Sequence, residues 1–290
     1  MTIAAGFVCI DGIVMCADSQ ESEGDYKFPV EKLVTSERDY YQLAIAGAGI
    51  GPLVDMAVGR IIRAFDLNCP KTYYTAEDRI SEVLSSLYEK EFALFPVVKN
   101  EYRTIDLLVG IKLQGIPKAV LYKTSATSIS EVKDYAVVGS GRAVEYQIHK
   151  LWHTYEPIRR TIPVAISLLN VASIVLRSVG GSGRIVSLSD KDGFGIGALY
   201  NREFETVRSA QNDLESSAGA LLLDLLDLGV SEADFSASLT RFTDFATELR
   251  TKRVEENEEW VEMLEGLSKA MTKSGKPSKT SNSQTSDDSQ

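Results

Sequence analysis

The chain has 290 residues, 44% of them hydrophobic and 25% charged, with a formal net charge of −10. This is the composition of a globular protein with a sizeable core, built as one domain or as one domain with an appendage. The acidic excess argues against a nucleic-acid partner, and three cysteines argue against a disulfide framework, so Cys9, Cys16 and Cys69 read as small core hydrophobes.

With Met1 removed, the chain begins Thr2-Ile3-Ala4-Ala5-Gly6. An N-terminal threonine combines nucleophile and base: its hydroxyl attacks a carbonyl while its own α-amine, which titrates near about 7.7–8.0, accepts the proton. A mature start at Thr2 is expected to need no propeptide. Residues 3–10 and 13–17 read as two apolar strands joined by Asp11-Gly12, a strong hairpin signal. Strict pairing across that turn puts Asp18 opposite Ala5, three residues from Thr2, so Lys32 is needed to bridge Asp18 to the nucleophile. A lysine near the hydroxyl favours its ionised form, and an aspartate keeps that lysine charged and aimed.

Residues 41–47 form an apolar strand that runs into Gly47, Gly49 and Gly51 and then a helix over about 52–65. Backbone N–H groups at such a junction build oxyanion holes. The spacing G-x-G-x-G, with no acid-ended second strand behind it, sets aside a dinucleotide loop. A second helix is expected over 75–94, with strands over 105–113, 119–124 and 135–138. Helices over 143–155 and 162–176 follow, then a strand over 184–188, a turn at Asp192-Gly193 and a strand over 195–200. His149 and His153 stand four apart on the first of these last two helices, but the run His-Lys-Leu-Trp-His lacks the glutamate of a zinc protease and reads as helix surface. No leader segment and no apolar run of about 18 residues is read, so a cytoplasmic protein away from membranes is expected.

The start Thr-Ile-x-x-Gly, Ala17-Asp18-Ser19, Lys32-Leu33, Ile45-Ala46-Gly47 and Val138-Gly139-Ser140-Gly141 together resemble the β-type subunits of the proteasome and its bacterial relatives, which are threonine proteases of the N-terminal-nucleophile hydrolase family. The resemblance spans about residues 2–200. It implies an α+β fold, a four-layer αββα sandwich, which the grouping of strands and helices also suggests. It implies Thr2 as nucleophile, Asp18 and Lys32 as polarising pair, the Gly47 N–H as oxyanion donor, Ser140 beside the amine, and Ile45 in the first specificity pocket. It also implies no cofactor and no metal, a peptide or unfolded-protein substrate, a homo-oligomeric ring and an unfolding ATPase partner. The stretch 176–183 departs from the family pattern: Ser178 stands where an aspartate is expected, with Ser182 also available to the amine. That departure is the feature favouring an inactive ring subunit; an amidohydrolase acting on small amides is the other alternative.

Residues 201–265 carry 16 Asp/Glu against 6 Lys/Arg, whereas the first 200 are nearly neutral. They read as an acidic helical extension over 201–271, with a solvated acidic face and an apolar segment, 218–228, that requires burial. Residues 272–290 have little to bury and read as a disordered tail.

Overall fold

The computed structural model describes residues 2–23, 26–92, 104–152, 155–176, 179–181, 183–191, 195–199, 201–227 and 229–274. Strands β1 (Ile3–Cys9), β2 (Gly12–Ala17), β10 (Tyr135–Gly139), β11 (Arg184–Ser189) and β12 (Gly197–Leu199) form one antiparallel sheet in the order β10-β1-β2-β11-β12. A second antiparallel sheet has the order β5-β6-β7-β8-β9, from β5 (Leu33–Arg38), β6 (Tyr41–Ala48), β7 (Asp106–Leu113), β8 (Val120–Ser125) and β9 (Ser128–Glu131).

Successive residues of a strand point to opposite faces, and both faces of the central strands are apolar. On β6, Tyr41, Leu43 and Ile45 join a cluster with Leu53, Ile61 and Phe65 of helix α1 (Gly51–Leu67) and Ile80, Leu84 and Leu87 of α2 (Tyr73–Lys90). On β1 and β2, Ile3, Phe7, Val14 and Cys16 pack on α3 (Tyr146–Leu151) and α4 (Ile158–Val175). The remaining faces meet each other through alanines, Ala4, Ala44, Ala46 and Ala48 among them, interleaved with larger residues such as Met15, Leu108 and Leu188. Gly110 shows how close this contact is: a Cβ there would stand 2.8 Å from the Met15 sulfur.

The expected four-layer αββα sandwich is corrected. The described residues form a mixed α/β fold of three antiparallel sheets and six α-helices. The additional sheet is a ribbon of β3 (Gln20–Glu23) and β4 (Tyr26–Pro29), whose outer strand is exposed along its length. The remaining helices are α5 (Asn201–Leu226) and α6 (Glu232–Ser274).

The first hairpin also corrects the sequence reading. Its register pairs Ala4 with Ala17 and Cys9 with Gly12, so the loop is Ile10-Asp11 and Asp18 falls opposite Ile3 rather than Ala5. A slip of two residues leaves every side chain on its original face, so the apolar pattern cannot detect it. Contacts of the turn set it instead: the Asp11 carboxylate accepts from the Ile158 N–H at 2.8 Å, and the Asp11 carbonyl accepts from the Asp190 N–H at 2.9 Å. Gly12, at φ +147°, lies so close to β11 that a Cβ would approach the Leu188 carbonyl oxygen to 2.1 Å.

The helix expected over 143–155 is a short 3-10 helix, Ser140–Val144, followed by α3. Helix α4 has the length and apolar composition to cross a membrane, contrary to the sequence expectation, but it buries Val164, Ile166, Leu168 and Ala172 in the core. The chain divides into two compact units, 1–211 and 212–290. In the second, Ser238 donates to Asp224 at 2.6 Å where α5 and α6 line a cavity of about 320 Å³. Four leucines of the segment 218–228 are not buried there: Leu222, Leu223, Leu225 and Leu226 are all more than half exposed, while Leu221 lines the cavity. The expected turn at Asp192-Gly193 and residues 275–290 of the expected tail lie outside the described residues.

Two glycine substitutions test the turn. Gly12→Ala is expected to cost about 2 kcal/mol or more, from a forbidden φ and a backbone clash. Gly59→Ala, in α1 with open space around it, is expected to stabilise by about 0.5–1 kcal/mol. Urea unfolding of both variants measures this, and equal effects would rule out the turn as a constraint.

Candidate active site

The two-residue shift of the hairpin carries Asp18 to the end of β1. Its Oδ1 accepts from the Ile3 N–H at 3.0 Å, and the Asp18 N–H donates to the Ile3 carbonyl at 3.2 Å. Thr2 is the next residue along the chain. The carboxylate is 3% exposed and would be costly to bury alone. Lys32 supplies the counter-charge, with Nζ at 3.0 and 2.9 Å from the two carboxylate oxygens and its own side chain 9% exposed. Nζ also donates to the Gln20 carbonyl, and the Gln20 N–H donates to Asp18 Oδ2 at 3.3 Å. The β3–β4 ribbon leaves the body just after Asp18 and returns just before Lys32. A bond from the Val30 N–H to the Ser19 carbonyl at 2.9 Å closes its base.

Thr2 is held from the other side by the end of β10. The Ser140 N–H and hydroxyl both donate to the Thr2 carbonyl, at 2.9 and 3.1 Å. This requires Gly139 at φ +75°, where a Cβ would approach the Thr2 carbonyl oxygen to 2.1 Å and the Ala48 methyl to 3.0 Å. Gly47 therefore lies one residue along β6 from a direct neighbour of the Thr2–Gly139 contact. A side chain at Gly47 would meet Val54 at 2.5 Å and Leu107 at 2.7 Å, so close packing of α1 on β6 requires glycine there as well. Ile45 is fully buried against the α1 side of β6.

Asp18 with Lys32 stands beside Ile3, Ser140 holds Thr2, and Gly47 packs against Val54 and Leu107, next in sequence to the Ala48 that Gly139 touches. Sequence reasoning missed Gln20, Gly139 and the Ile3 N–H, because main-chain roles leave little trace in residue type; the Gly before Ser140 was the available signal. It also missed Arg184, which pairs with Glu31 and lines, with Asp18, Lys32, Val30 and Leu199, an adjoining cleft of about 590 Å³. Ser178, Ser182 and His153 lie outside the described residues. His149 bonds the Tyr135 hydroxyl at 3.0 Å, and among the described residues no group of three or more His, Cys, Asp or Glu is placed to hold a metal ion.

The thiols are poor nucleophiles. Burial pushes both Cys9 and Cys16 up to about 12, and it raises Cys69 as well.

The sequence matches no family model and no curated protein. Solved structures do match. The chain resembles the Anbu ancestral β-subunit from Yersinia bercovieri, with TM-score 0.64 and 14% identity over 79% of this chain and 99% of that one. A Gly-1 mutant of Anbu from Hyphomicrobium sp. strain MC1 gives TM-score 0.63 and 14% identity over 76% and 97%. Anbu from Pseudomonas aeruginosa, solved as a helical assembly, gives TM-score 0.64 and 14% identity over 80% and 99%. The fold is shared with Anbu. This corrects the resemblance drawn from the motifs: the structural likeness is to a proteasome-related ancestral β-subunit and not specifically to a threonine protease of the N-terminal-nucleophile family. The short motifs sit at the ends of β1, β2, β6 and β10, where they shape strand ends without identifying a reaction.

Asp18→Ala is expected to cost about 3–5 kcal/mol, since it strands a nearly buried ammonium and the Ile3 N–H. Adding Lys32→Met is expected to recover part of that loss. Denaturant titration of the single and double variants checks this; a loss of about 1 kcal/mol or less for Asp18→Ala would make the pair equivalent to a surface contact. Alkylation of the folded protein near pH 8 is expected to spare Cys9 and Cys16, whose thiolates are suppressed by burial, and peptide mapping after labelling shows which sites react.

Proposed function

We propose that the chain is a subunit of a proteasome-related homo-oligomer that hydrolyses peptide bonds, with Thr2 as nucleophile once Met1 is removed. The observation that carries this reading is the Asp18 carboxylate, which ties the Ile3 N–H beside Thr2 to the Lys32 ammonium. The shared Anbu fold supports the assembly, since one of those relatives is itself solved as a helical complex.

In this reading the Thr2 hydroxyl attacks the scissile carbonyl and the α-amine takes its proton. The Lys32 charge favours the ionised hydroxyl. The Gly47 N–H stabilises the tetrahedral oxyanion. Collapse breaks the C–N bond, the α-ammonium returns the proton to the leaving amine, and an ester to Thr2 remains. Water, deprotonated by the α-amine, hydrolyses that ester and regenerates the hydroxyl. Ser140 positions Thr2 by holding its carbonyl. The cleft beside Lys32 is of a size that admits peptide side chains, in the range of about 300–1,000 Å³ usual for ligand sites.

A peptide epoxyketone is expected to add to the processed chain at Thr2. Thr2→Ala is expected to abolish both adduct and turnover, and Lys32→Ala to lower kcat about 100-fold or more. N-terminal mass spectrometry of the same sample supplies the control. Retention of Met1, labelling at another residue, or turnover that survives Thr2→Ala would overturn the assignment.

A further inference from the structure

A lysine ammonium is a compact charge on a flexible stem, so where it stands depends on how its backbone is held. Lys32 lies in the short segment between β4, which ends at Pro29, and β5, which starts at Leu33. Val30 is tied to Ser19 at one end of that segment, and Leu33 is buried between the two large sheets at the other. Between them stands Glu31, whose side chain is 58% exposed. Packing alone does not fix that residue, and the contact that holds it comes from the opposite sheet.

Arg184 opens β11 on the same face as Val186 and Leu188, which meet Leu33 in the layer between the sheets. From there its guanidinium pairs with the Glu31 carboxylate and also donates to Thr35 Oγ1 at 3.4 Å. One planar fork thus holds a residue before Lys32 and a residue after it. In the sheet, Arg184 is paired in register with Ala17, the residue before Asp18. Two ion pairs of opposite sense, Asp18 with Lys32 and Arg184 with Glu31, therefore join the same two parts of the chain.

We infer that Arg184 is a positioning residue for the reaction at Thr2: by gripping Glu31 and Thr35 it fixes the segment from which Lys32 reaches Asp18. Its effect on turnover rests on the peptidase reading, whereas its effect on Lys32 does not. An ion pair as exposed as this one contributes little to stability, so its consequence lies in where the lysine stands. Misplacing a group by about 1 Å can cost about 100-fold in rate.

Two substitutions in the full chain test the inference. Arg184→Met keeps the apolar stem and removes the fork, and Glu31→Ala releases the other end at a mostly exposed site. Brief acylation with acetic anhydride followed by peptide mapping measures the reactivity of Lys32. Each variant is expected to raise that rate about 5-fold or more, with the midpoint of urea unfolding unchanged. At saturating peptide, kcat is expected to fall about 10-fold or more. The double variant is expected to be no worse than Arg184→Met alone, because the pair acts as one unit. An unchanged Lys32 rate, an unfolding midpoint that falls with it, losses that multiply in the double variant, or a change confined to KM would each overturn the inference. Absence of turnover in the unaltered chain counts only against the peptidase, and the Lys32 rates then decide whether Arg184 holds the lysine.

Discussion

The Asp18 carboxylate is the contact on which the arrangement of the site depends. It closes the end of the β1–β2 pairing through the Ile3 N–H and neutralises Lys32 in the same step. Removed from water at 3% exposure, it is tolerable only because each oxygen accepts hydrogen bonds, one of the donors being cationic. Thirteen residues lie between Asp18 and Lys32, and they form the ribbon whose base is closed by the Val30–Ser19 bond and by Nζ on the Gln20 carbonyl. The ribbon is therefore part of what aims the lysine, although its strand β4 is exposed.

Thr2 is positioned by main-chain geometry rather than by side-chain packing. Its carbonyl accepts from both donors of Ser140, and those donors reach it only because Gly139 turns the end of β10 at a positive φ. The same glycine touches Ala48, so the two five-stranded sheets meet at this point through a glycine and an alanine. Small residues between the sheets, Ala44, Ala46 and Gly110 among them, allow an approach close enough for Ala48 of β6 to touch Gly139 at the end of β10, beside Thr2.

Much of this was legible from residue types. Alternating apolar strands, the glycines after β6 and the carboxylate among small residues at the end of β2 identified the strands and the charge pair, because burial chemistry restricts what can stand there. The hairpin register was not legible, since a two-residue slip preserves the faces and the deciding contacts come from Ile158, Leu188 and Asp190, far along the chain. The β3–β4 ribbon was missed because Gln20-Glu21-Ser22-Glu23 presents no apolar alternation. Leu222, Leu223, Leu225 and Leu226 were expected to be buried, yet in this chain they are more than half exposed; apolarity states that a surface prefers cover without stating which molecule supplies it.

That distinction also separates the two units of the chain. In residues 1–211 nearly every large apolar side chain of the central strands finds a partner within the same unit, so sequence pattern and folded structure agree. In residues 212–290 the pattern is equally regular, but the described helices leave Leu222, Leu223 and Val254 open. The Anbu structures are matched over 97–99% of their own length by only 76–80% of this chain, so at least a fifth of it lies outside the matched region. Regular apolar spacing that the described helices leave open prefers cover by the same physics that buries a core.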